Sequence, residues 1–304
     1  MKENKKTFDF VKNFKFTGLI SIVLALTGLV GLLLAPFGVF LFNFDIDFVG
    51  GTTMQFEMHQ DVTAELTAKV SGIVAGATGV RPSSVIKAGD AGTQVVIKCA
   101  ELSSEMRDAA FEAVRAAYNL PETDSPIKSE FVSASVGSDL KRSAVLASAI
   151  AVALILVYIT IRFQFFSGLA AVIALVHDLL IMLSVYIIFR IPFNMNFIAA
   201  ALTILGYSIN ATIVVFDRVR ENIRLEPEKK FGQIVDTSIH QTLSRSVNTT
   251  LTTLFAIVLL VVFGVDSIRN FALPVCVGVI CGCYSSVCIS GPMWNLFESK
   301  KKAA

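Results

Sequence analysis

Charge is what this sequence has least of. Only 16% of its 304 residues are Asp, Glu, Lys or Arg, whereas a soluble domain carries about 25%. Histidine is scarcer still, at three, and there is one tryptophan. The five cysteines form no disulfide framework: Cys99 stands alone, and Cys276, Cys281, Cys283 and Cys288 share one apolar run. Their C-x4-C-x-C-x4-C spacing matches no zinc pattern, so they read as small, polarisable packing residues rather than metal ligands. No Walker loop, GxSxG elbow or HExxH is present. A nucleotide-driven, hydrolytic or cofactor-dependent enzyme therefore has no constellation to work with, and nothing marks a nucleic-acid binder.

What the chain has in abundance is apolar length. Hydrophobic residues make up 54%, and the mean hydropathy is +0.68. Runs free of Asp, Glu, Lys and Arg extend over Phe16–Phe44, Ser143–Ile161, Ile191–Phe216, Ser246–Val265 and Phe271–Phe297, and a sixth, Phe163–Phe189, is interrupted only by Asp178. Crossing a bilayer takes roughly 20 helical residues, so the sequence predicts six transmembrane helices. The first run follows Lys2, Lys5, Lys6, Lys12 and Lys15, but it is too long for a signal-peptide core of about 7–15 residues and reads as a retained anchor.

The resulting division is a basic N-terminal arm (1–15), a first span (16–44), a long polar segment (45–142), five further spans (143–292) with an amphipathic cytoplasmic connection at 217–245, and a basic tail (293–304). With the N-terminus in the cytoplasm, 15 Lys and Arg fall inside, and the short outer loops hold only Arg190 and Arg269. The positive-inside rule then puts both termini in the cytoplasm and the polar segment outside. That segment carries 14 Asp and Glu against 9 Lys and Arg. Strand character at Thr52–Met58, Ser84–Ala88, Thr93–Lys98 and Ile127–Val136 alternates with two helices, one capped by Asp61 and running to Ala77, one opened by Ser103. The order β-α-β-β-α-β predicts a ferredoxin-like α+β domain.

Ionisable and polar groups inside spans are costly and mark candidate sites. His177 and Asp178 lie midway along the third span; they suit either proton carriage or a structural hydrogen bond to a neighbouring helix. In the fourth span, Gly206, Ser208, Asn210 and Thr212 form a polar patch that suits close helix packing or a transport path. Asp217 opens a charge run, DRVREN, expected to be solvated. From Phe231 to Arg245 the apolar spacing predicts a helix lying on the cytoplasmic surface. Arg245 then heads SVNTTLTT, where it either snorkels to the interface or belongs to a buried polar face.

Four strings together resemble one family: Asp47-Phe48-Val49-Gly50-Gly51-Thr52, Ser135-Val136-Gly137-Ser138-Asp139-Leu140, GYSINATIVVFDRVREN (206–222) and TLSRSVNTTLTT (242–253). The chain is similar, from Phe14 to about Phe297, to the SecF branch of the SecD/SecF family, which is related to RND transporters. The resemblance implies a half-RND bundle of six helices in the bacterial cytoplasmic membrane, with a domain outside after the first span. It implies a SecD partner, the SecYEG channel with SecA, an accessory YajC subunit, preproteins as cargo and the proton motive force as drive. It further implies a coupling role for Arg245. One departure stands out: the family's fourth-span motif reads GYSxND, and here the Asp position is Ala211, whose methyl group takes no proton. Three accounts stay open: protons pass only through SecD carboxylates, Asp178 substitutes, or this copy is coupling-deficient. Rival readings are a structural, non-conducting subunit of the same complex and an RND-like exporter half.

Overall fold

The computed structural model describes residues 8–34, 41–89, 91–162, 164–264 and 266–303. Lys2, Lys5, Lys6, Asp90, Phe163, Val265 and residues 35–40 of the expected first span lie outside the described residues, as do the side chains of Arg162 and Lys300–Lys302. Phe44–Leu146 forms one compact unit and the segments flanking it form another.

The first helix, α1, is Phe14–Leu34. The α+β unit follows, with β1 (Gly51–Glu57), α2 (Ala64–Thr78), β2 (Ser84–Ala88), β3 (Gln94–Cys99), α3 (Ser104–Tyr118) and β4 (Lys128–Val132). The four strands form one antiparallel sheet in the order β2-β3-β1-β4. Along β1, Thr52, Met54 and Phe56 sit opposite Cys99, Ile97 and Val95 of β3. Side chains alternate across a strand, so these six share one face; Thr52 is buried, and the other five are buried together with Val70 and Val74 of α2 and Val114 of α3. Each fully buried large apolar side chain contributes roughly 1.5–3 kcal/mol.

Two boundaries differ from the sequence expectation. The cap of α2 is Thr63, whose hydroxyl accepts from Leu66 N at 3.2 Å, while Asp61 instead meets the Lys87 ammonium. The last strand stops at Val132 because Ala134 onward is already helical. Ser103 does cap α3, accepting from Met106 N at 3.3 Å.

After β4 come α4 (Ala134–Arg162), α5 (Phe165–Ile188), α6 (Met195–Leu225), α7 (Phe231–Phe263) and α8 (Asp266–Ser285). A π-helical segment, Ser286–Ser290, then leads into α9 (Gly291–Ala303). Among the described residues, six helical stretches are long and apolar enough to cross a membrane; the chain is a multi-pass membrane protein. Within the spans, burial is uneven. Of the most apolar windows, 56% is buried in the third span (α5) and in the last (Ile268–Ser299), but only 11% in the second (α4) and the fifth (α7). The central core gathers Leu175, Leu205, Phe216, Val235, Ile239 and Trp294.

The amphipathic connection at 217–245 is a correction. Its first part is the end of α6, only 226–230 separates the helices, and Phe231 to Arg245 is the beginning of α7. Ile234, Val235 and Ile239 pack into the central core instead of resting on a surface. Nothing between Phe231 and Phe263 is a proline or a glycine that breaks the ladder except Gly232 in the first turn, so the apolar stripe continues straight into the span.

Candidate functional site: a buried carboxylate and an open polar face

Asp178 is fully buried in α5. Its Oδ1 lies 2.8 Å from His177 Nδ1, and its Oδ2 accepts from Ser208 Oγ of α6 at 2.5 Å and from Ser285 Oγ of α8 at 2.8 Å. Three helices thus converge on one carboxylate. Removing a carboxylate from water costs several kcal/mol. Each hydrogen bond to a charged group returns about 1.5–3 kcal/mol, so three partners suit this position. Adjacent side chains on a helix point about 100° apart, yet His177 turns back onto Asp178. Its own ring is 9% exposed, with Nε2 lacking a partner among the described residues. The Tyr284 ring lies 6.2 Å from it, and Tyr284 OH donates to Thr17 O of α1 at 2.8 Å.

A glycine sets this geometry. A Cβ on Gly282 would stand 3.1 Å from Ser208 Cβ and 3.2 Å from Ser208 Cα. Only a residue without a side chain lets α8 approach α6 closely enough for Ser208 and Ser285 to share one oxygen. Sequence reading singled out Asp178, His177 and Ser208 but missed Ser285. The available signal was Gly278, Gly282, Ser286 and Ser290 at four-residue spacing, a stripe of small residues that brings helices together.

The remaining candidates fall elsewhere. Arg245 is exposed on α7, its carbonyl accepting from Thr249 Oγ1 at 2.9 Å, and Asn248, Thr249 and Thr252 are exposed beside it. On α6, Thr203, Gly206 and Asn210 are exposed too. Gly206 has no atom within 4 Å of where a Cβ would stand, so the close approach expected there is not made within this chain. Ala211 is half-buried, and Thr212 is buried with its hydroxyl unpartnered among the described residues. Tyr207 OH donates to Thr250 Oγ1 at 3.1 Å, joining α6 to α7. Asp217 lies 4.0 Å from Arg220.

The charge run holds a clamp that sequence reading took for solvated surface. Arg218 Nε donates to Gln241 Oε1 at 2.6 Å, and Asn222 Nδ2 donates at 2.8 Å to both Gln241 Oε1 and Ser238 Oγ. The Asp47 string forms a tight turn. A single turn, Ile46–Val49, contains Asp47 and ends at Gly50 (φ 75°), whose N donates to Ile46 O at 2.8 Å. Gly51 has φ +130° and leaves no room for a Cβ, which would stand 2.5 Å from Cys99 O. A Cβ on Gly137 would come within 3.0 Å of Gly50 N.

This arrangement has close counterparts. The family model described as protein export membrane protein SecD/SecF, C-terminal, matches residues 112–300. Protein translocase subunit SecF of Rickettsia bellii is 35% identical over 98% of this chain and 96% of its own length. That of Rickettsia akari is 36% identical over 98% and 94%. The chain belongs to the SecD/SecF family. The crystal structure of SecDF, a translocon-associated membrane protein from Thermus thermophilus, superposes with a TM-score of 0.82 at 31% identity, covering 98% of this chain and 40% of that one. The segment matched by the SecD/SecF model takes in five of the six candidate spans. Both the Asp178 cluster and the open face around Arg245 therefore lie in the part this family shares.

Proposed function

We propose that this chain is the SecF-type subunit of a bacterial protein translocase, working with a SecD-type subunit beside a SecYEG channel, and with a YajC-type accessory, to promote export of preproteins at the expense of the proton motive force. The chain sits in the cytoplasmic membrane with both termini inside. Its ferredoxin-like domain lies outside, as the distribution of Lys and Arg favours. Arg245, with Asn210 and Asp217 on the neighbouring helix, belongs to the coupling path. One charge crossing the membrane is worth about 2.3 kcal/mol per 100 mV, enough to bias a helix bundle between two arrangements.

One observation carries this reading: the exposed Asn210 of α6 and Arg245 and Asn248 of α7, whose amides and guanidinium, unlike the neighbouring Thr203, Thr249 and Thr252 hydroxyls, are not turned onto a carbonyl of their own helix. Hydrocarbon satisfies no hydrogen bond, so a face of this kind needs a second membrane protein against it. The test is co-purification from native membranes, followed by proton flux in vesicles holding the pair. A SecD-type chain is expected to co-purify, and Arg245→Ala is expected to depress flux and export together. Failure to find such a partner overturns the proposal. A second reading, a structural subunit that conducts no protons, is favoured by one feature, the methyl group of Ala211. Unchanged flux in Arg245→Ala supports it, as would a gain of flux in Ala211→Asp.

A further inference from the structure

The pairing of His177 with Asp178 fixes more than helix packing. An ionised carboxylate only accepts hydrogen bonds. Asp178 takes two hydroxyls on Oδ2, and its Oδ1 faces His177 Nδ1 at 2.8 Å. With Asp178 ionised, Nδ1 carries the proton of a neutral imidazole, which leaves the lone pair on Nε2. That atom is buried and unpartnered among the described residues. The pair as a whole then holds one negative charge in the middle of a span, with one unused basic atom.

We propose that His177 is the proton acceptor of this bundle, with Asp178 as the positioning residue that sets its tautomer and Ser285 as the contact that passes the change to α8. The step is a single addition: a proton binds the Nε2 lone pair, no bond breaks, and the pair goes from one negative charge to none. The imidazolium then competes with the two serine hydroxyls for the carboxylate. Ser208 and Ser285 are the polar contacts by which Asp178 reaches α6 and α8, and Ser285 immediately precedes the π-helical Ser286–Ser290. Such a turn commonly marks a functional site, and a changed grip on Ser285 acts directly on it.

The titratable groups facing the pair are Cys281 and Tyr284 of α8. From α6 it meets the Ser208 hydroxyl, and α1 has no Asp, Glu, Lys or Arg between residues 16 and 34. For its use in export the inference rests on the SecF-type reading; for its test it does not.

The chain has three histidines, His59, His177 and His240, so nitrogen-15 NMR of the histidine-labelled chain alone in bilayers resolves the ring. His59→Gln and His240→Gln assign the signal by elimination. Expected at alkaline pH is an Nδ1–H ring with bare Nε2, both nitrogens becoming protonated on acidification across about pH 9 to 5. Asp178→Asn should abolish the tautomer preference, and Ser285→Ala should move the transition without removing it. A ring that stays in one protonation state across that range, or carries its proton on Nε2, overturns the proposal. No variant of the pair is needed for that outcome, so misfolding cannot mask it. Flux lost in Arg245→Ala while the His177 ring stays silent would sink this inference and leave the export reading standing.

Discussion

Asp178 and Arg245 are both charged residues in apolar helices, yet the molecule treats them oppositely. One is enclosed by two hydroxyl donors and an imidazole ring, and the other faces outward from this chain. Sequence alone flagged both, because charge in a span is rare enough to be conspicuous. Which way each points depends on tertiary packing, and that was not legible. Ser285 was invisible for the converse reason: serine is unremarkable in a membrane helix, and only the partner oxygen gives it meaning. Ser285→Ala leaves Oδ2 with Ser208 alone and is expected to lower the unfolding free energy of the purified chain in detergent by about 1–2 kcal/mol. Gly282→Val should cost more, about 3 kcal/mol or above, because it also forces α6 and α8 apart. Urea titration of both variants checks the order. In the α+β unit, burial pushes the Cys99 thiol up to about 11. Maleimide should consequently leave Cys99 unmodified in native chain at neutral pH and label it on unfolding.

Helices and strands were read with uneven success for a physical reason. Hydropathy over a span, and alternation within β1 and β3, are local signals that survive without knowledge of neighbours. Continuity is not local in that way. The stretch from Phe231 to Arg245 has the same apolar period whether it lies on a surface or packs into a core, and here Ile234, Val235 and Ile239 enter the core. Its register against α6 is held by Asn222, 3% exposed, with Ser238 and Gln241. Asn222→Ala leaves Ser238 Oγ and Gln241 Oε1 without that donor and is expected to cost about 1–3 kcal/mol. Hydrogen exchange should quicken near 216–245 and not in the α+β unit. That unit responds to acid instead. The Thr93 hydroxyl, ahead of a smaller opposing desolvation effect, holds the Glu57 carboxyl below its ordinary range. A depressed folded value means the carboxylate stabilises β1 above the unfolded range, and the contribution is lost as pH falls through the folded one. Exchange of β1 amides in the full chain should therefore accelerate only on acidification below about pH 4.

Taken together, the six helices read as a bundle with one finished side. The third and last spans are surrounded, while α4 and α7 bury only 11% of their apolar windows. Exposed Leu154, Val157 and Ile161 on α4 suit lipid as well as protein. The exposed Asn248 and Arg245 of α7 do not, because an amide or guanidinium in hydrocarbon loses hydrogen bonds it had in water, whereas the neighbouring Thr249 and Thr252 hydroxyls are satisfied by their own helix. The open apolar area is thus ambiguous and the open polar area is not, which makes Asn248 a sharper probe of assembly than any leucine. A cysteine at Asn248, and a control at Val23, which is 62% exposed on α1, should both react with a membrane-permeant thiol reagent when the chain is expressed alone. With a SecD-type partner co-expressed, labelling at 248 is expected to slow several-fold while Val23 stays unchanged. Equal labelling at 248 in both conditions would mean that the polar face of α7 meets water or lipid in the assembled state, and that the partner docks elsewhere.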